Sequence, residues 1–105
     1  MDGMSASLSG LQTAGQGIAL SANNIANLNS SGYRAKSLVQ QYLPQGGVSG
    51  AALQQSQAPL PAGGSNVDLA SEAVNLDAQS IAYLANLKAL QVQARTLGTA
   101  LDLKA

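Results

Sequence analysis

The chain has 105 residues, enough for one domain. Five Lys and Arg balance five Asp and Glu, and charged residues are 10% of the total, well under the roughly 25% of an average soluble domain. That balance excludes electrostatic binding of nucleic acid. The absence of Cys and His removes disulfides, thiol chemistry, the commonest general base and the commonest metal ligand. Trp and Phe are absent as well, and much of the apolar content is Ala (19) and Leu (16). This composition suits helices with small, close-packed faces. The first basic residue is Arg34, and polar residues interrupt every apolar run. A cleaved secretory leader and a membrane-embedded helix are therefore not expected. The expectation is a cytosolic protein, or one exported by a route that leaves its N-terminus uncleaved.

The first segment, Met4 to Asn27, reads as a helix. Met4, Leu8, Leu11, Gly15, Ile18, Ala22 and Ile25 recur at heptad spacing, large residues in one row and shrinking ones in the other. Asp2 is a candidate N-cap. Gly10, Gly15 and Gly17 each weaken the helix by about 1 kcal/mol relative to Ala, so it needs a partner to form. No charge lies between Asp2 and Arg34. A helix rich in Ser, Gln and Asn with no charged face predicts enclosure by other protein. Asn23, Asn24, Asn27 and Asn29 then compete for backbone hydrogen bonds, and Gly32 supplies a positive φ. The helix should stop near Asn27 to Asn29, with Tyr33 anchored after the turn.

Residues Arg34 to Leu43 fit one short strand. Pro44 to Ser65 shifts to Gln, Gly, Ser, Ala and Pro and reads as a surface loop or linker. Within it, Val48 to Gln57 fits either a short strand or a short helix. From Asp68 onward there is no Pro, and no Gly before Gly98. Leu69, Ala73, Leu76, Ser80, Tyr83, Leu87, Leu90, Ala94, Leu97 and Leu101 hold heptad spacing without a slip, which predicts a rod of about 50 Å. Asp68 or Asn66 can cap its start. Acidic residues lead and basic residues follow along it, complementing the helix dipole. Val74, Ile81 and Leu84 lie off that seam, which predicts a second neighbour.

Two stretches resemble a known family. Ser9-Gly10-Leu11, Ala22-Asn23-Asn24-Ile25-Ala26-Asn27 and Asn29-Ser30-Ser31-Gly32-Tyr33-Arg34 resemble the N-terminal signature of bacterial flagellar rod and hook proteins. Ser65-Asn66-Val67-Asp68-Leu69, Glu72-Ala73-Val74-Asn75-Leu76, Ala82 to Lys88 with Asn86, and Leu97 to Asp102 resemble its C-terminal signature. Together they cover about two thirds of the chain. The resemblance implies a mainly α fold. Two terminal helices, residues 1–29 and 66–105, pair as an antiparallel coiled coil. A Gly/Gln/Pro-rich connector, 30–65, joins them within one domain and holds at most short strands.

It also implies a structural subunit of the flagellar basal-body rod. Such a subunit leaves through the type III export apparatus and packs against itself and other rod and hook proteins in the periplasmic span. The short connector places the chain beside the smallest rod-type members, and Leu84 stands where the family often has an acid. The alternative is a small accessory or chaperone-like paralogue that binds axial proteins without entering the tube.

No catalytic, cofactor-binding or metal-binding residues are expected, and no small-molecule substrate. Asp68 and Glu72 share a helical face, but acids suit a solvated helix start. Gly46-Gly47 lacks the Lys and following helix of a phosphate loop, and Gly15-Gln16-Gly17 lacks the preceding strand of a dinucleotide fingerprint. The protein is not expected to be an enzyme.

Overall fold

The computed structural model describes residues 3–104. Helix α1 spans Gly3–Ala26, strand β1 Lys36–Tyr42, strand β2 Val48–Gln55 and helix α2 Leu69–Lys104. The proposed cap Asp2 lies outside the described residues. After Ala26 the chain turns: the Asn27 amide bonds back to the carbonyls of Asn23 and Asn24, both at 3.1 Å. Gly32 follows with φ +77°, the left-handed conformation that its missing Cβ makes accessible. Asp68 caps α2, its Oδ1 accepting the amides of Ala70 and Ser71 at 3.1 and 3.4 Å. Asn66, the other candidate cap, serves elsewhere. Its Oδ1 accepts the Ala35 amide at 2.6 Å, and its Nδ2 donates to the carbonyls of Ser56 and Ala58.

The connector is more ordered than its composition suggests. β1 and β2 form a two-stranded antiparallel hairpin, with Lys36 opposite Gln55 and Tyr42 opposite Val48. The open choice for Val48 to Gln57 resolves as strand over Val48–Gln55, inside the stretch read as loop. A one-residue bulge lies between Val39 and Gln40, and the turn passes through Gly46 and Gly47, both at positive φ. An isolated hairpin is marginal in water. This one is held against α1: Ser9 Oγ accepts the Val48 amide at 3.2 Å, and Thr13 Oγ1 donates to the Val48 carbonyl at 3.4 Å. Long-range hydrogen bonds, invisible to local propensity, make the strands.

The helices run antiparallel. A Cβ built on Gly3, Gly10 or Gly17 of α1 would meet Gln93, Asn86 and Gln79 of α2 respectively. Asn24, seven residues further on, bonds Glu72. Each step of seven up α1 is a step of seven down α2. The α1 residues buried at this contact are small or polar: Ser7, Ala14, Gly17, Ser21 and Asn24. Among the described residues the buried apolar side chains are Ala14 and Val67. The shape is long and thin, 67 × 23 × 14 Å. Its accessible surface is 6754 Å², against about 5400 Å² for a compact monomer of this mass. No described helix is long and apolar enough to cross a membrane.

The glycines of α1 therefore differ in kind. A Cβ on Gly10 would sit 2.5 Å from Asn86 Oδ1, and the Asn86 amide is tied to the Ala82 carbonyl at 2.8 Å. A Cβ on Gly15 would meet nothing nearer than Tyr83 at 3.8 Å. Gly15→Ala should raise stability by up to about 1 kcal/mol, the helix-propensity gain. Gly10→Ala should lower it by about 1 kcal/mol, because overpacking outweighs that gain. Urea midpoints test this, and adding Asn86→Ala to Gly10→Ala should recover the loss.

Candidate functional site

Asn24 is 1% exposed and all four of its side-chain hydrogen-bonding positions are filled. Its Nδ2 donates to the Lys36 carbonyl at 2.7 Å and to Glu72 Oε2 at 3.1 Å. Its Oδ1 accepts the Lys36 amide at 3.1 Å and the Tyr33 hydroxyl at 2.8 Å. Towards Lys36 the side chain imitates a neighbouring strand. One residue thus joins α1, the turn, β1 and α2. Glu72 is 7% exposed, not on a solvated helix start as its sequence position suggested. The end of α1 and the start of β1 close over it. Tyr33 has its hydroxyl pKa raised above 10.0, first by burial and then by the negative charge of Glu72. The Lys36 ammonium lies 5.8 Å from the Tyr33 ring centre, within cation–π range.

The remaining signature residues extend this centre. Asn27 Nδ2 donates to Asn23 Oδ1 at 2.8 Å, and the Ser30 hydroxyl donates to Asn27 Oδ1 at 3.0 Å. The Gly32 amide donates to the Gly64 carbonyl at 2.9 Å, and Ser65 Oγ donates to the Leu28 carbonyl at 2.6 Å. Arg34 reaches the carbonyls of Ser56 and Ala58. Asn29 stands exposed in the turn. Asn86 sits apart, over Gly10 in the helix pair. The signature residues form a polar clasp at one end of the molecule. The asparagine density was readable as a helix stop; its tertiary role was not. The only hint was that four asparagines exceed what one helix end can use.

The apolar rows lie elsewhere. Met4, Leu8, Leu11, Gly15, Ile18, Ala22 and Ile25 do not form the face that α1 turns to α2. They sit about a quarter turn away, at 100° per residue. The contact row is Gly3, Ser7, Gly10, Ala14, Gly17, Ser21 and Asn24, because only small side chains let the backbones approach. On α2, Leu69, Leu76, Tyr83, Leu90 and Leu97 share one heptad position and alternate along the seam with the contact positions Glu72, Gln79, Asn86 and Gln93. Ala73, Ser80, Leu87, Ala94 and Leu101, each one residue on from the row of Glu72, Gln79, Asn86 and Gln93, turn away from α1 in the same rotational sense as the α1 row. In an antiparallel pair, equal rotations lead to one side, and the approach of Gly15 to Tyr83 marks it. The two rows therefore form one apolar face, opposite the hairpin. On that face Leu8 and Leu101 are 45% and 59% exposed and Met4, Leu11, Ile18, Ile25 and Leu87 are half-buried, and the α1 row carries no charge.

A second surface feature is a groove of about 440 Å³ between α1 and the hairpin, lined by Leu20, Leu38 and Leu53 with Gln16 and Asn23 at its edge. Among the described residues, no three His, Cys, Asp or Glu side chains come together in a way that could hold a metal. No protein-family model matches the chain, and no curated protein matches it either.

Removing the Asn24 amide strands a buried carboxylate and a strand amide together. Asn24→Ala should therefore cost about 3 kcal/mol or more, read as loss of helical circular dichroism at a lower urea concentration. Tyr33 supplies a pH test. A hydroxyl whose folded pKa is raised contributes stability that is fully present below 10.0 and is lost as pH climbs above it. Stability should fall above pH 10, and Tyr33→Phe should flatten that part of the profile relative to the parent.

Proposed function

We propose that the chain is a structural, non-enzymatic subunit of the bacterial flagellar rod. Its two helices act as an antiparallel coiled-coil unit in this reading, and the unit assembles through its apolar face. The observation that carries the proposal is the inverted layout of the helix pair. Small and polar residues fill the inside, while the apolar rows flank it, half-buried at Met4, Leu11, Ile18, Ile25 and Leu87 and exposed at Leu8 and Leu101, with no charge on the first helix. Contiguous exposed apolar surface of this kind marks an interaction site. The signature residues support the reading in a second way, since Asn23, Asn24, Asn27, Ser30, Gly32, Tyr33, Ser65 and Glu72 gather in the clasp around Asn24. The partners proposed are further copies, other axial proteins, and the type III export apparatus on the way out. The site of action is the rod in the periplasmic span, after synthesis in the cytoplasm.

Ala22 gives a clean test, because it is exposed in the lone chain and lies on the proposed face. Ala22→Glu should leave the helicity of the isolated protein unchanged while abolishing swimming and rod isolation in a complemented deletion strain. Gly15→Leu should do the same by overpacking, at about 1–3 kcal/mol per contact. Expression and export should persist in both. Full swimming with Ala22→Glu would overturn the proposal.

A further inference from the structure

α2 carries another heptad row on the side turned away from α1. Ala70, Val74, Asp77, Ile81, Leu84, Lys88, Gln91 and Arg95 follow one another at alternating steps of four and three, and every one of them is exposed. Val74, Ile81 and Leu84 are 68%, 62% and 55% exposed. This row lies roughly half a turn from the one that meets α1. Its charges cannot satisfy each other within the helix, since Asp77 and Lys88 are eleven residues apart, about 16 Å along the axis.

The row is self-complementary when a second copy runs the other way. Lay two such helices antiparallel so that Ile81 meets Leu84 of the second copy. Every position of the row then meets another position of the row. Asp77 falls opposite Lys88, Val74 opposite Gln91, and Ala70 opposite Arg95. By symmetry each pairing occurs twice. The acidic first half of α2 lies beside the basic second half of its partner, and the two helix dipoles oppose. No other register sets Asp77 opposite a basic residue and Ile81 opposite Leu84 at once. We propose that α2 forms a two-fold symmetric, antiparallel dimer with α2 of a second copy through this row. The contact is isologous and closes on itself. It is therefore distinct from the open-ended contacts a rod requires and does not depend on the rod reading.

Sedimentation of the full chain tests the proposal. The parent protein should form a discrete dimer at micromolar concentration. Lys88→Asp sets two acid pairs face to face and should raise the dissociation constant at least about tenfold, with circular dichroism unchanged at a concentration where both proteins are monomers. The double variant Asp77→Lys with Lys88→Asp exchanges the charges and should restore the parent value. The chain has no cysteine, so orientation can be read directly. The Val74→Cys and Gln91→Cys proteins, mixed under mild oxidation, should give the mixed disulfide in excess over either self-linked product. A parent protein that stays monomeric at millimolar concentration would overturn the proposal. So would a dimer indifferent to Lys88→Asp, or one in which the Val74→Cys protein links mainly to itself.

Discussion

The structure depends on one amide. Asn24, near the end of α1, occupies the point where the return turn, the hairpin and the first turn of α2 converge on that helix, and it satisfies a donor or acceptor on each of the three. A buried carboxylate is costly without a hydrogen-bond donor, and a strand edge is costly without a ladder partner. Asn24 supplies both from a side chain too short to move away. The antiparallel register follows from it. Once Asn24 is opposite Glu72, heptad stepping brings Gly17, Gly10 and Gly3 opposite Gln79, Asn86 and Gln93.

That register decides which surfaces are left over. Glycine and serine on α1 let α2 approach closely, so the contact is made by backbone and polar side chains rather than by leucine. The buried apolar area is correspondingly small, and hydrophobic burial, the main stabilising term for most domains, is left largely unused within the chain. The large side chains sit at the flanks of the pair, some half-buried and some exposed. Covering those rows with other protein would add apolar burial that folding leaves unused, which is what the proposed assembly would do.

Two outward rows on α2 make the point in different ways. The leucine row beside α1 continues onto α1 itself, through Gly15 and Tyr83, and forms a broad face without charge on the α1 side. The opposite row is narrower and carries Asp77 and Lys88 at symmetric distances from Ile81 and Leu84. A broad uncharged face suits enclosure among many neighbours; a narrow row with matched charges suits a single partner in a single orientation.

Local chemistry was enough to read several features from the sequence. The two helices, the stop after the asparagine run, the positive φ at Gly32 and the Asp68 cap are all properties of residues acting on their immediate neighbours. The heptad rows were also legible, because periodicity records which side chains share a face. What periodicity does not record is what each face meets. On α1 the leucine and isoleucine row was the natural candidate for the pairing seam, yet Gly10, Gly17 and Ser21 took that place. Close backbone approach and the Asn24–Glu72 bond set the register, and both join residues tens of positions apart. The same reason left the second strand open, since its pairing rests on contacts from Ser9 and Thr13, and hid the burial of Glu72, which a helix start alone would leave in water. The sequence by itself determined where the helices lie and which faces they carry. Only the tertiary structure decided which face turned inward, because that choice rests on long-range polar contacts that no local pattern encodes.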